Sequence, residues 1–248
     1  MEFTIKTFDG SCKTILPLAE AYMRSYNKLS EGYKSAKEMA LYKKGTFIKK
    51  LKNYSNDKTS SVFVLYADEM PRGFVRYSNI PDYYKTPKDR LAQDMEHSEM
   101  DGFTFAWMRK VRFAENHPEL SERTMIINQI YLDPQIQNQG AGTQIFKQTL
   151  PLMAEKYDNF IVEYNANNTR AKKFYGDVLG LEPIAHTQDF DHIVLNDRQR
   201  ADFCLSPVEI GMSSISNAME HIRQVENRNS LNINIRNIKL QQGNYNGK

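Results

Sequence analysis

The sequence predicts an α+β fold, built from both strands and helices. Three observations support this class. Short segments that alternate apolar and polar residues recur from residue 2 onwards, stretches with apolar residues every three or four positions lie between them, and two strand-like segments are close enough to form a hairpin. With 248 residues, 40% of them hydrophobic and 25% charged, the chain can bury a full core.

The first elements are a strand and two helices. Residues 2–8 alternate as a half-buried strand does, and residues 15–29 place apolar side chains on one helical face. Pro17 fits that helix only in its first turn, because proline cannot donate the backbone hydrogen bond of an interior position. The capping-box spacing of residues 35–38 predicts a second helix, and Gly45-Thr46 is expected to break or bend it.

A hairpin and a long irregular segment follow. Residues 61–68 and 73–79 are strand-like and are joined by the short turn 69–72. Residues 80–124 then form a long segment with helical and irregular character, and a span of this length usually carries its own structure or a function. The next elements are predicted in this order: strand 125–132, helix 141–156, strand 160–165, helix 168–179 closed by Gly180, and a hairpin of 192–196 and 201–206.

The C-terminal part differs in pattern from the rest. Ser206-Pro207 followed by Val208-Glu209 has the residues of a helix start, with serine as the cap and proline at the first position. A narrow apolar stripe continues to Ile222, so residues 206–248 are predicted to be an amphipathic helix and tail beside a domain of residues 1–205. The stripe can pack on its own domain or form a homodimer. Residues 231–240 alternate for several positions, and the last residues are expected to be frayed.

Composition excludes several classes. The net charge of +3 is too small to indicate nucleic-acid binding, and no apolar run is long enough to span a membrane. The start lacks the features of a secretory signal, and only Cys12 and Cys204 are present, so a reducing, cytoplasmic location is expected. Neither an HExxH motif nor a Cys/His cluster occurs, so no metal is expected.

The most informative stretch is LDPQIQNQGAGTQIF, residues 132–146. It follows an apolar strand and leads into a predicted helix. Gly140 and Gly142 let a ligand approach the backbone, and the unpaired N–H groups of a helix start favour an anion such as a phosphate. A tight turn without a ligand explains two glycines equally well. The spacing fits neither the GxxxxGK[ST] loop nor the three-glycine dinucleotide loop.

This stretch resembles the acyl-CoA pyrophosphate loop, Q/R-x-x-G-x-G/A, of the GNAT superfamily of N-acetyltransferases. EYNANNTRAKKFYGDVLGL, residues 163–181, is similar to a second motif of that family, N-x-x-A-x-x-F/L-Y-x-x-x-G-F. Four positions are in register: Asn168, Ala171, Phe174 and Tyr175. Gly180-Leu181 replaces the usual Gly-Phe and comes one residue later. The match covers roughly residues 125–184.

The resemblance implies a GNAT-like fold with three layers (α/β/α), in which a mixed, largely antiparallel sheet is flanked by helices. It also implies acetyl-CoA as co-substrate, held between two splayed strands of that sheet. The pantetheine arm would pair with the backbone of Ile130, Tyr131 and Leu132, as an added strand does. Asn168 would hydrogen-bond the arm. The pyrophosphate would be held by backbone N–H groups of the loop: Gln137, Asn138, Gln139, Gly140, Ala141, Gly142 and Thr143.

Transfer to an amine needs a base for the ammonium and an acid for the departing thiolate. The resemblance places Tyr175 at the position whose phenol reaches the CoA sulfur. Glu163 is in the register of the base of the ribosomal-protein-type members, five residues before Asn168. A tyrosine packed in the core and a glutamate serving only the sheet are the alternatives. Asn128 and Gln129, where some relatives carry glutamate, could position a water instead.

Three functions agree with these residues. The favoured one is acetyl transfer to a primary amine of a small molecule by direct attack. The others are acetylation of a protein lysine or N-terminus, and non-catalytic binding of acyl-CoA by a regulator. The segment 80–124 is expected to be an insertion near the acceptor side, where Glu96, Glu99 and Asp101 could attract a cation.

Overall fold

The structure, a computed structural model, describes residues 1–29, 36–79, 123–186 and 208–245. In chain order its elements are β1 (Phe3–Thr7), α1 (Cys12–Leu29), α2 (Ala36–Asn56), β2 (Ser60–Ala67), β3 (Met70–Asn79), β4 (Thr124–Leu132), α3 (Ala141–Met153), β5 (Asn159–Asn165), α4 (Thr169–Leu179), β6 (Glu182–His186), β7 (Val208–Ser214) and α5 (Ile215–Tyr245). The strands form one sheet of seven in the order β1-β2-β3-β4-β5-β7-β6.

The sheet is mixed and largely antiparallel, as the sequence predicts. Every neighbouring pair is antiparallel except β4 and β5, which are parallel and are joined through α3. A parallel pair needs a crossover of a dozen or more residues, and the helix α3 supplies it. β5 therefore runs in the same direction as β4, whereas every other pair of neighbouring strands runs in opposite directions.

Each face of the sheet has its own apolar core, which gives the predicted three layers. On one face α1 and α2 pack over β2 and β3, with Leu18, Leu51 and Phe74 fully buried. On the other face α3, α4 and α5 pack over the sheet, with Phe146 and Phe160 fully buried. We call the first the α1/α2 face and the second the α3/α4 face.

The structure differs from two expectations about the first helices. Pro17 lies six residues into α1, beyond its first turn. The helix continues past the missing N–H because Ile15, Leu18 and Ala19 on either side are buried against the sheet. Gly45 does not break α2, which runs unbroken from Ala36 to Asn56. In both places burial of an apolar face outweighs the local helix propensity.

The predicted hairpin is present, but its turn is tighter than expected. β3 begins at Met70, so the turn consists of Asp68 and Glu69 alone. Both residues have positive φ, 48° and 65°, as a type I′ turn requires. The sequence gives little sign of this turn because neither residue is asparagine or glycine. A register shift beyond Leu65 then leaves Arg72 out of the ladder.

The predicted helix start at Ser206 is wrong. Val208–Ser214 is a strand that lies between β5 and β6, and the helix begins only at Ile215. The cap is Ser214, whose Oγ accepts a hydrogen bond from the amide of Asn217 at 3.1 Å. The segment from residue 208 thus belongs to the same sheet as the rest of the chain. Val208, Ile210 and Met212 alternate with Glu209 and Gly211, as residues of a strand do, and the spacing of three and four that predicted a helix continues beyond them into α5.

Other outcomes are mixed. The strands at 124–132 and 159–165 and the helices at 141–153 and 169–179 agree with the prediction. β6 was not predicted, and the alternation at 231–240 is helical, because α5 continues to Tyr245. The predicted insertion up to residue 122, with its three acidic residues, and the segments 192–196 and 201–206 lie outside the described residues.

Candidate active site

A bulge in β4 opens the centre of the sheet. Arg76 pairs with Gln129 and Tyr77 pairs with Ile127, so Asn128 is an extra residue in β4. A bulge bends its strand and increases the local twist. On its other side β4 pairs with β5 only from Thr124 to Ile127. From Asn128 onwards, the backbone edge that faces β5 is therefore open, and the two strands are splayed.

A cavity of about 580 Å³ lies beside this open edge. Its walls come from the end of β4, the N-terminus of α3 and one face of α4. The lining residues are Ile130, Leu132, Gln137, Asn138, Gly140, Ala141, Gly142, Thr143, Asn168, Arg170, Ala171, Lys173, Phe174, Tyr175, Asp177 and Val178. The structure therefore brings together the two motifs, which lie about thirty residues apart in the sequence.

The N-terminus of α3 faces the cavity with unpaired amides. Gly140 precedes the helix with φ of 81°, and no side chain caps this end. The first intrahelical bond runs from the amide of Gln144 to the carbonyl of Gly140, so the amides of Ala141, Gly142 and Thr143 precede the helical ladder. Together with the helix dipole, these amides can bind an anion.

Gly142 and Gly140 are required for different reasons. A Cβ on Gly142 would lie 3.0 Å from two ring atoms of Phe174, so a larger residue would force α3 and α4 apart. A Cβ on Gly140 would meet no atom within 4 Å, but its φ is one that other residues rarely adopt. The open space at Gly140 is where a ligand can reach the backbone.

Side chains of the loop brace its own backbone. Gln137 donates from Nε2 to the carbonyl of Leu132 at 2.9 Å, and Gln139 donates to the carbonyl of Gln135 at 2.8 Å. Arg170 of α4 donates to Gln137 Oε1 at 3.1 Å and to Asn138 Oδ1 at 2.7 Å. Sequence reasoning missed Arg170 and Lys173. The available signal was a pair of cations at the start of α4, where the helix dipole does not favour positive charge.

The start of the loop is fixed by a fully buried carboxylate. Asp133 lies 2.5 Å from Arg24 of α1 and 2.9 Å from Arg72 of β3, while its own side chain is 0% exposed. Burial alone would raise the pKa of Asp133. Hydrogen bonds from Arg24, the amide of Gln135 and Arg72 outweigh burial and lower it. Asp133-Pro134, which follows β4, is thus tied to α1 and to β3.

Asn168 has a structural role in addition to its place at the cavity. It caps α4 by accepting a hydrogen bond from the amide of Ala171 at 3.0 Å. Its Oδ1 is therefore engaged with the helix, as the cap position favours. The side-chain nitrogen is the group that Asn168 can offer to a bound ligand.

Tyr175 forms part of the cavity wall. It is 6% exposed, and its ring lies 5.3 Å from that of Tyr164 and 5.5 Å from that of Phe174, measured between centroids. Burial raises the pKa of Tyr175 to about 12. The phenol is consequently neutral at physiological pH and can act as a hydrogen-bond donor.

Three of the residues chosen from the sequence do not line the cavity. Gln139 braces the loop, and the ring of Tyr131 packs on the α1/α2 face between Tyr22 and Phe74. Glu163 is partly buried and alternates with Val162 and Tyr164, which belong to the core of the α3/α4 face. Because side chains alternate along a strand, Glu163 is on the opposite face from Tyr175.

The two amides of β4 are on that opposite face as well. Asn128 donates from Nδ2 to Ser78 Oγ at 2.6 Å, and Gln129 Oε1 accepts from the hydroxyl of Tyr54 on α2 at 2.6 Å. The oxygen Oδ1 of Asn128 is buried without a hydrogen-bond partner. The splay of β4 and β5 is thus flanked by Tyr175 on one face and by Glu163 and Asn128 on the other.

Comparison with known proteins agrees with this arrangement. The model of the acetyltransferase (GNAT) family matches residues 23–181. The chain belongs to the GNAT family. The resemblance inferred from the two short motifs is therefore confirmed, and the matched region includes the bulge, the loop and α4.

Solved structures show the same fold at low sequence identity. An uncharacterised protein (bh2621) from Bacillus halodurans is 9% identical, with a TM-score of 0.52 over 89% of this chain and 88% of that chain. An acetyltransferase from Thermus thermophilus is 10% identical, with a TM-score of 0.50 over 86% of this chain and 97% of that chain. No curated protein matches the chain.

Two features are absent from the part of the chain that the structure describes. In the four described ranges no helix has the length and apolar character to cross a membrane. Within the same ranges no group of three or more His, Cys, Asp or Glu side chains could hold a metal ion.

Proposed function

We propose that this GNAT-family chain is an N-acetyltransferase that moves an acetyl group from acetyl-CoA to a primary amine by direct attack. The observation that carries the proposal is the continuity between the open edge of β4 and the uncapped start of α3. An extended arm can add to the first as a strand, and a pyrophosphate can bind the second. A small-molecule amine is the first acceptor class to test.

The proposed coenzyme site uses backbone groups at both ends. The arm pairs with the backbone of Ile130–Leu132, whose edge towards β5 is open. The diphosphate meets the amides of residues 137–143. Asn168 donates from its side-chain nitrogen to the arm, and Arg170 and Lys173 add positive charge at the cavity. Because main-chain contacts do not depend on the side chain, such a site can be kept while the sequence changes.

The proposed reaction places the base for the amine and the group that stabilises the leaving thiolate on opposite faces of the sheet. An alkylamine arrives as an ammonium of pKa about 10.4 and must lose a proton before it can attack. Glu163, directly or through a water held near Asn128, accepts that proton. The amine nitrogen then bonds to the thioester carbon, and the carbon–sulfur bond breaks to release the CoA thiolate. The nitrogen gives up its second proton as the amide forms, and the thiolate or solvent accepts that proton.

Tyr175 stabilises the departing sulfur. Thiols titrate near pKa 8.5, whereas the pKa of Tyr175 is raised to about 12, so complete transfer of the phenolic proton to the thiolate is uphill. The phenol therefore acts mainly by donating a hydrogen bond to the developing negative charge. Hydrogen bonds to charged groups contribute about 1.5–3 kcal/mol. Loss of this bond should lower kcat by about tenfold to a hundredfold.

Binding is tested by calorimetric titration of the purified chain with CoA and acetyl-CoA. Gly140→Val and Gly142→Val should weaken both ligands at least about tenfold, since the first strains the backbone and the second pushes on Phe174. Gly45→Ala, in α2 on the other face, is the matched control and should leave affinity unchanged. Absence of any heat with either ligand would refute the proposal.

Catalysis is tested by release of free CoA thiol in the presence of a polyamine, an amino acid and a lysine-containing peptide. Turnover with the polyamine or amino acid supports a small-molecule acceptor, and turnover with the peptide alone supports a protein acceptor. Binding of CoA without turnover of any amine would favour the regulator. Tyr175→Phe should lower kcat and leave CoA affinity nearly intact, and Glu163→Gln should lower kcat most at low pH.

A further inference from the structure

A buried carboxylate contacts Tyr164, whose ring packs against that of Tyr175, and the proposed reaction does not use it. Glu209 of β7 is 1% exposed. Its Oε1 accepts a short hydrogen bond from the hydroxyl of Tyr164 on β5, and its Oε2 lies 2.7 Å from Nζ of Lys172 on α4. Glu209 lies outside residues 23–181, the part matched by the family model.

Stability alone does not account for a charge at this position. Removing a carboxylate from water costs several kcal/mol, and apolar pairs of similar volume often replace buried ion pairs without loss. Lys172 is half exposed, so only one member of the pair is truly buried. What a buried, hydrogen-bonded carboxylate does provide is a fixed direction for its partners.

The partner that Glu209 directs is in contact with Tyr175. Tyr164 is 8% exposed, and its ring lies 5.3 Å from the ring of Tyr175 at an angle of 43°. Lys172 and Tyr175 are three residues apart on α4 and therefore lie on neighbouring parts of one helix face. A continuous array thus runs from the solvent-exposed Lys172 through Glu209 and Tyr164 to the cavity.

Among the described residues, neighbours of Glu209 come from β5, α4 and β6. Tyr164 is contributed by β5, Lys172 and Tyr175 by α4, and His186 is the register partner of Glu209 on β6. Burial first, and then the hydrogen bond to Glu209, raise the pKa of Tyr164. Burial also raises the pKa of Tyr175, so both phenols stay protonated and remain donors.

We propose that Glu209 is a positioning residue for acyl transfer: it holds Tyr164, and Tyr164 holds the ring of Tyr175 with its hydroxyl towards the sulfur of CoA. This inference rests on the proposed function. In it, Tyr175 alone touches the reacting atoms. Glu209 and Tyr164 set the direction of its hydrogen bond.

The test follows the thiol of bound CoA, so it needs no amine substrate. The thiolate absorbs in the ultraviolet, and its titration in the complex reports the hydrogen bond to sulfur. Tyr175→Phe should raise the pKa of the bound thiol by about one unit, since it removes a charge-assisted donor. Tyr164→Phe keeps the ring but releases it from Glu209, and should raise that pKa by roughly half as much.

The double variant separates positioning from packing. If Tyr164 acts through Tyr175, Tyr164→Phe should have no further effect on the thiol pKa in the Tyr175→Phe background. A purely structural role would give additive changes, which would overturn the inference. Affinity for CoA should change less than about threefold in Tyr164→Phe, because the arm and diphosphate bind elsewhere.

Failure of the two proposals can be told apart. An unchanged thiol pKa in Tyr175→Phe would refute the role of Tyr175 in the proposed function. A raised pKa in Tyr175→Phe with none in Tyr164→Phe would refute the role of Glu209 alone. Glu209→Gln retains an acceptor for Tyr164 and should stay close to wild type, whereas Glu209→Leu should match Tyr164→Phe. Should Glu209→Leu not fold, the tyrosine variants still decide the question.

Discussion

Arg24 and Asp133 are 109 residues apart in the chain, yet Arg24 Nη2 lies 2.5 Å from Asp133 Oδ2. Arg72 reaches the same oxygen at 2.9 Å. The contact ties the first helix to the residue that follows β4 and begins the loop at the cavity. The geometry of the proposed diphosphate site therefore depends on a side chain in α1, a helix that does not line the cavity.

Asp133→Asn should destabilise the fold by about 3 kcal/mol, because it leaves two guanidinium groups around an uncharged buried amide. Urea unfolding measures the loss, and calorimetry with CoA should show weaker binding. Asp158→Asn is the matched control, since Asp158 pairs with Arg123 on the surface, where both side chains are more than half exposed. Equal losses of unfolding free energy in the two variants would contradict the stabilising role of the ion pairs of Asp133 with Arg24 and Arg72.

Stability should fall in acid through Asp57. Burial alone would raise its pKa, but hydrogen bonds from Thr59, Ser60 and Arg76 outweigh burial and lower it from 3.8 to about 2. A carboxyl whose folded pKa is depressed adds stability above its unfolded pKa and loses it as the pH falls through the folded value. The contribution is about 2 kcal/mol.

The corresponding experiment is urea unfolding between pH 5 and roughly pH 2. Wild type should lose the contribution of Asp57 mostly below about pH 4, and Asp57→Asn should lack that part of the slope. Parallel pH dependence in the two proteins would show that other carboxyl groups are responsible.

Gly45→Ala should stabilise the protein by about 0.5–1 kcal/mol. Gly45 is in the interior of α2, and an added Cβ would meet no atom within 4 Å, so only the entropy of the unfolded chain changes. Gly180→Ala is the contrasting variant. Gly180 has φ of 58° and its Cβ would lie 2.7 Å from Asn217, so destabilisation is expected. Thermal unfolding distinguishes the two signs.

Glu69→Gly should raise stability by about 0.5–1 kcal/mol. Glu69 has φ of 65° in the two-residue turn, a conformation in which glycine is unstrained and other residues are not. Glu69→Val places a β-branched residue in the same conformation and should be destabilising. If thermal unfolding ranks valine above glycine, the turn geometry described for residues 68 and 69 is wrong.

The elements around the site were predictable because their signals are local. LDPQIQNQGAGTQIF joins a strand to a helix start, and Asn168 and Gly180 mark both ends of α4 by their capping chemistry. In both motifs the spacing between the characteristic residues also indicates the family without any knowledge of contacts. Nearly all residues chosen from these motifs line one cavity.

What the sequence could not predict depends on partners far away in the chain. Val208–Ser214 has a helix-like start, and only pairing with β5 and β6 makes it a strand. The ion pairs of Asp133 need Arg24 and Arg72, which come from two other elements. Whether a side chain faces the cavity or the opposite face depends on strand alternation and on the bulge at Asn128, which put Glu163 and Tyr131 away from the cavity.

The position of β7 has a consequence for biosynthesis. This strand inserts between β5 and β6, so a nascent polypeptide that ends before residue 208 has neither the ladder between those strands nor the carboxylate of Glu209. β7 must therefore leave the ribosome before Glu209 can contact Tyr164, the residue that packs against Tyr175. The surroundings of Tyr175 are therefore completed late in synthesis, although the two motifs at residues 132–146 and 163–181 leave the ribosome earlier.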